Sequence, residues 1–156
     1  MKIMTSYFYQ IRFMKQNYIP LSTALSDPKW FHKGTYDKNI QFKDKNGVWN
    51  GLRAEPFMPG EECEGLCHGR DVCNAYGPQT CSFLKTYKRQ LDKLDYDEIL
   101  ERFRKIGEAI QKQEGFEEEP VFVLIFHEAY DNPCSERWPV QEWFKEHNYD
   151  IKEFNF

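Results

Sequence analysis

The sequence predicts an α/β domain of three layers: a mostly parallel sheet with flanking helices and a cysteine-containing loop insertion. Three observations predict it. Val121-Phe122-Val123-Leu124-Ile125-Phe126 is an apolar run without alternation, the mark of a strand buried on both faces, as in parallel sheets. Two other apolar stretches, Ile3–Phe8 and Tyr18–Leu25, are separated from it by segments of helical periodicity, the kind of connection that parallel strands need. The 156 residues contain no internal repeat and no low-complexity segment. They fit one domain, 1–156, with the insertion at about 31–81.

Taken in order, Ile3–Phe8 reads as the first strand and Ile11–Gln16 as a short helical or turn segment. Tyr18–Leu25 is the second strand, ended by the turn-forming Ser26-Asp27-Pro28. Phe31–Pro59 is polar, aromatic and irregular. Within it Asn46-Gly47, between Ile40-Gln41-Phe42 and Val48-Trp49, predicts a β-hairpin turn, because both residues tolerate positive φ. Pro56 and Pro59 argue against a central strand beyond it. Phe83, Tyr87, Leu91 and Leu94 then stripe one face of a helix. Asp95 stands three residues before Glu98, placed to accept a hydrogen bond from its amide at a helix start. Ile99, Phe103, Ile106 and Ile110 carry that helix through Tyr96–Lys112, with Glu98–Arg102 and Glu101–Lys105 as i,i+4 pairs. The acidic run Glu117-Glu118-Glu119 is a solvated connector. Beyond the apolar run, Pro139 belongs in a helix's first turn. A helix therefore begins near Ser135–Trp138, with Val140, Trp143, Phe144 and His147 on its apolar face. Tyr149–Phe154 alternates apolar and polar residues and predicts an edge strand.

Composition narrows the function classes. No apolar run approaches the roughly 18–20 residues of a membrane helix, and the N-terminus lacks the apolar core of a signal peptide. A cytoplasmic protein without membrane association is expected. A net charge of −4 disfavours broad attraction to nucleic acid, while a local basic patch near Lys85, Lys88 and Arg89 stays open. No GxGxxG, Walker A, HExxH or GxSxG pattern is present, which removes the usual support for the dinucleotide, NTP, metalloprotease and hydrolase classes.

Ligands in open α/β sheets sit beyond the carboxyl ends of the strands. His127, Glu128, Cys134, Ser135, Glu136 and Arg137 follow the apolar strand, and Ser6, Tyr7 and Asp27 stand at the tips of the first two strands. Glu128, Cys134 and Glu136 are the candidate catalytic residues. Glu128, desolvated after a buried strand, suits general acid–base work, or else it caps the helix or pairs with Arg137. Cys134 near a helix start suits a thiolate nucleophile, or else it is a small residue filling a junction. Ser6, Tyr7, Asp27, His127, Ser135 and Arg137 are the candidate ligand-binding residues, with Arg137 and the helix N-terminus matched to a phosphate or carboxylate. The pattern points to a small-anion- or nucleotide-directed protein, an enzyme acting on a nucleotide or nucleic-acid base. A non-catalytic nucleotide- or protein-binding module is the alternative.

Glu61–Cys81 carries Cys63, Cys67, Cys73 and Cys81, spaced C-x3-C-x5-C-x7-C, with His68 beside Cys67. Four thiolates on one loop suit a structural zinc ion, although neither half is the familiar C-x2-C. Reduced buried thiols and disulfides are the alternatives. A long loop without regular structure calls for a clamp, so zinc is the expected cofactor. A zinc-stapled nucleic-acid-binding protein is the third functional reading.

The apolar strand, His127-Glu128, Cys134-Ser135-Glu136-Arg137 and Glu142-Trp143-Phe144 together resemble the domain of unknown function 488 family. Its members carry an apolar strand, a Glu, a Cys-His-Arg triplet and a helix with a Glu-Trp-Leu-like end. Met1–Tyr7 and Ile19–Trp30 are similar to the family's N-terminal strand and its second strand with a Pro-containing loop. Counting back from Trp143 sets Arg137 at the family's Arg, with Glu136 and Ser135 at its His and Cys positions. The family has no settled activity, so the resemblance implies a fold.

Overall fold

The structure, a computed structural model, describes residues 1–34, 49–66 and 77–156. Its strands are β1 (Lys2–Tyr7), β2 (Tyr18–Ser22), β3 (Phe31–Gly34), β4 (Trp49–Arg53), β5 (Val121–Phe126) and β6 (Lys152–Glu153). Its α-helices, among the described residues, are α1 (Ser82–Asp92), α2 (Tyr96–Glu114) and α3 (Arg137–Glu146). The strands form one six-stranded sheet in the order β3-β4-β2-β5-β1-β6, parallel at every pairing.

Strand β5 is buried at every position, and the two faces of the sheet explain why it does not alternate. Phe122, Leu124 and Phe126 point into a core built with Tyr87, Leu91, Phe103, Ile110, Trp143 and Phe144 from the three helices. Val121, Val123 and Ile125 point the other way, against Phe8 and Ile11 of a 3-10 segment (Phe8–Phe13) and against Phe31. The α/β architecture is thus as expected, with the helices on one face and a thinner 3-10 layer on the other.

The central strand β5 comes fifth of the six in chain order. Strands β1 and β2 flank β5 on either side, so the central pairings join residues about a hundred positions apart, as in Tyr18 with Val121. Strand β2 stops at Ser22 rather than at Leu25. Both the amide and the hydroxyl of Thr23 turn to the Ile125 carbonyl, at 3.1 and 2.7 Å, and the Ala24 amide turns to Ser22 Oγ at 3.2 Å. The segment read as a loop insertion supplies two strands, β3 and β4. The hairpin expected at Asn46-Gly47 lies outside the described residues. The C-terminal edge strand is reduced to Lys152–Glu153 beside β1.

Helix α2 follows its sequence signals closely. Asp95 accepts from the Glu98 amide at 3.1 Å, and Gly115, at φ 76°, ends the helix by donating to Gln111 O. Glycine is favoured at such a left-handed cap because it has no Cβ to clash. Arg102 pairs with Glu98 as expected, whereas Glu101 is taken by Arg104, which also reaches Glu108. Gly107 marks the closest approach of α2 to the sheet. A Cβ there would stand 3.1 Å from the Phe122 ring. Gly107→Ala is therefore expected to destabilise the protein by about 1–3 kcal/mol through overpacking, despite alanine's better helix propensity. Urea denaturation checks this, and a stabilised variant would contradict it. Among the described residues no helix is long and apolar enough to cross a membrane.

Candidate functional site

Parallel strands end on the same side, so the exits of β2 and β5 lie together. The β2 exit (Thr23–Ser26), the β5 exit (His127 and Glu128), Phe83 of α1 and Glu136 at the start of α3 surround a pocket of about 180 Å³. Phe126 and Pro59 complete its apolar wall. His127 Nε2 lies 2.6 Å from the Ser26 carbonyl, an acceptor, so that nitrogen carries the proton. Its ring lies against Phe8, 5.1 Å between centroids. This contact ties the two strand exits together at the mouth of the pocket.

The chemistry concentrates in one pair. The Glu136 carboxyl is hydrogen-bonded to that of Glu128, and its pKa is pushed up to about 8. Burial is the largest cause, followed by the charge of Glu128 and the hydrogen bond to it; the backbone N–H of Glu136 and nearby His127 pull the other way. Two carboxylates in contact cannot both ionise cheaply, so at neutral pH the pair holds one proton. The result is one proton held between two carboxyls, which become a donor and an acceptor side by side when a ligand replaces their mutual hydrogen bond.

Arg137 takes a different part from the anion anchor expected of it. The side chain is fully buried and all of its N–H donors are used inside the protein. Nε donates to Glu153 Oε1 at 2.7 Å, Nη1 to Ala129 O and Ser135 Oγ at 3.0 and 3.3 Å, and Nη2 to Glu128 O and Ser6 O at 2.9 and 3.4 Å. A guanidinium has five donors, so none remains for a ligand in this arrangement. It stands behind the pocket and holds its wall.

The other expected ligand-binding residues are likewise occupied. Ser135, fully buried, accepts from both the backbone and the side chain of Arg137. Ser6 Oγ donates to Phe154 O at 2.6 Å, and the Tyr7 hydroxyl meets Asn155 and Gln10. Both tie β1 to the C-terminal tail. Asp27 accepts from Ser22 Oγ and pairs with Arg53 at 3.5 Å, while Arg53 also donates to the Ala24 and Leu25 carbonyls. This clamp shapes the β2 exit. Of the candidate residues, the pocket brings together His127, Glu128 and Glu136.

Cys134 is disulfide-bonded, which removes the free thiolate expected of a nucleophile. Of the four proposed zinc ligands, Cys67 and Cys73 lie outside the described residues. Cys63 and Cys81 are buried free thiols in separate apolar clusters. Burial is the main cause that raises the Cys63 pKa, which favours the thiol over the thiolate a metal would need. Among the described residues no group of three or more His, Cys, Asp or Glu is placed to hold a metal.

Compared with family models, proteins of curated function and solved structures, the chain matches none. The pocket residues that sequence reasoning missed are Thr23–Ser26, Pro59 and Phe83. Thr23, Ala24 and Leu25 were hidden inside a stretch read as strand, and Ser26 in the turn that ends it, because two apolar residues in this segment continue the strand pattern. Phe83 carried only a helix-stripe signal, which does not distinguish a core position from a pocket wall.

Proposed function

We propose that the pocket at the carboxyl ends of β2 and β5 is an acid–base site for a nucleobase-like heterocycle. The observation that carries this reading is the Glu128–Glu136 pair, sharing one proton in the pocket wall. A protonated carboxyl donates while its ionised neighbour accepts. Heterocycles with an amide-like edge present the complementary acceptor and donor. The pocket volume of about 180 Å³ suits one such ring, since a cavity of about 150 Å³ holds benzene. Phe83 and Phe126 offer apolar walls for the ring.

Chemistry follows from the same proton. A carboxyl titrating near the working pH is suited to both giving and taking a proton in a transition state. Glu136 is the acid and Glu128 the base at neutral pH, with the ring nitrogen or exocyclic oxygen of the substrate as the reacting atom. The ligand is taken to be uncharged at this point. Arg137 has no donor to spare, and no Lys or Arg is among the described residues lining the pocket.

The test is calorimetry and thermal shift with free purines, pyrimidines and their nucleosides, followed by assays for turnover of any binder. A true ligand at a hundred times its Kd adds about 2.7 kcal/mol to stability. Glu128→Gln is expected to weaken binding about tenfold by removing the ionised acceptor, whereas Glu136→Gln, which keeps a donor, is expected to bind nearly as the parent does while losing the acid. Turnover is expected to fall roughly 10²- to 10⁴-fold in each. Absence of binding by every base and nucleoside would overturn the reading. Binding without turnover in the parent protein would reduce it to a binding module.

A further inference from the structure

We infer that the base entering this pocket is presented on a single strand of nucleic acid, whose neighbouring nucleotides lie along the groove between α1 and α3. The inference rests on the pocket reading above and names the form in which its substrate arrives.

A second hollow of about 440 Å³ lies on the seam between α1 and α3, lined in part by Lys85, Lys88, Arg89, Trp138 and Glu142. The N-terminal ends of the same two helices contribute to both hollows. On α1, Phe83 lines the acid pocket and Leu84 and Lys85 line the groove; at the start of α3, Glu136 lines the pocket and Trp138 the groove. None of the described residues lines both hollows, and residues two apart on a helix face opposite ways, so a strand leaving the pocket reaches the groove by passing around the first turns of α1 and α3.

The groove has the two features that single strands require, cations for the backbone and an aromatic face for bases. Lys85 and Arg89 are exposed, four residues apart on one helix face, and neither forms an ion pair with another described residue. Lys88 is already engaged by Asp92 and Glu146, and Glu142 subtracts from the positive field. Trp138 is 38% exposed. Its Nε1–H donates to Asn132 O at 2.9 Å, which fixes the ring in the groove wall. A free nucleoside would fill the acid pocket and leave both the cations and this ring unused. A single strand presents its base without the unstacking and unpairing that a duplex must undergo. The overall charge of −4 fits a partner gripped at a few phosphates rather than by a broad field.

Fluorescence anisotropy with labelled single-stranded RNA and DNA of about twelve nucleotides, beside calorimetry with the matching nucleosides, tests this. The oligonucleotide is expected to bind at least about tenfold tighter than the nucleoside, with each stacked base contributing at that level. The double variant Lys85→Ala/Arg89→Ala is expected to flatten the slope of log affinity against log salt by about 1.4, the loss of two phosphate contacts. Its affinity for the nucleoside stays unchanged. Trp138→Ala is expected to lose roughly tenfold in oligonucleotide affinity, and Trp138→Phe to retain most of it. An oligonucleotide that binds no tighter than its nucleoside, or whose affinity ignores both sets of substitutions, overturns the inference and leaves the pocket reading standing. Oligonucleotide binding that depends on Lys85 and Arg89 but is indifferent to Glu128→Gln overturns the pocket reading and, with it, the entry of a base there.

Discussion

Arg137→Ala is expected to destabilise the protein by about 3–5 kcal/mol, the cost of breaking a buried charge pair by removing one partner. Total stabilities of natural domains are about 5–15 kcal/mol, so the variant is expected to be largely unfolded under mild stress. The size of the effect follows from what the guanidinium joins. Its donors reach β1 through Ser6 O, the β5 exit through Glu128 O and Ala129 O, and β6 through Glu153. Removing it takes the charged partner from half-buried Glu153, which keeps the Thr5 hydroxyl, and takes donors from three carbonyls. The position of Arg137 is itself informative. A cation at a helix N-terminus opposes the helix dipole, so it is held there by these acceptors. Arg137→Lys keeps the charge but brings three donors instead of five and no planar fork. It is expected to be intermediate in stability while keeping the parent's affinity for a pocket ligand. Urea denaturation and calorimetry read both. An Arg137→Ala variant within 0.5 kcal/mol of the parent, or an Arg137→Lys protein that has lost its ligand, would restore the anion-anchor role.

Arg137 also shows where the sequence stops being legible. Its proximity to a helix start can be read from Pro139 and the apolar stripe that follows. That β1 and β6 bring acceptors to the same point cannot, because Ser6 is 131 positions from Arg137 and Glu153 is placed by the pairing of β6 with β1. Strand β5 was legible for the opposite reason. Its burial on both faces leaves no polar position, and that property is written locally. The same holds for the start of α2, where cap and capped amide are three residues apart. Strands β3 and β4 are short, and their partners lie elsewhere in the chain, so no local pattern separated them from loop, whereas the alternation of Tyr149–Phe154 marked β6 but overran its two residues. Glu128 and Glu136 were each singled out for their place after β5 and before α3. That they meet as a pair depends on how the intervening loop folds back. The bond at Cys134 was equally out of reach, because cysteine spacing does not determine connectivity.

Stability is expected to fall as pH rises from about 5 to 8, and Glu136 is the reason. Its carboxyl has an ordinary value of 4.5 and is pushed up to about 8 in the folded protein. Between those values the folded state keeps a proton that the unfolded state has released. Unfolding then releases a proton, and stability declines by at most about 1.4 kcal/mol per pH unit. The contribution is whole below the unfolded value and gone once pH has passed the folded one. Because the two carboxyls are coupled, the total loss is on the order of 2–4 kcal/mol rather than the full span. Cys63 and Tyr87 are raised from ordinary values of 9.0 and 10.0, so they act above this window. Glu136→Gln keeps a donor facing Glu128 at every pH and is expected to flatten the curve. It would match the parent near pH 5 and exceed it at pH 9. Glu128→Gln removes the neighbouring charge and moves the parent's decline to lower pH, because burial alone then holds Glu136 up. Denaturation midpoints measured across this range for the three proteins decide the matter. A parent curve that stays flat between pH 5 and 9 would mean that the pair shares no proton. If the decline is found, its upper limit marks the pH at which the unliganded pocket loses its acid, and kcat/KM for any substrate must fall through the same pH.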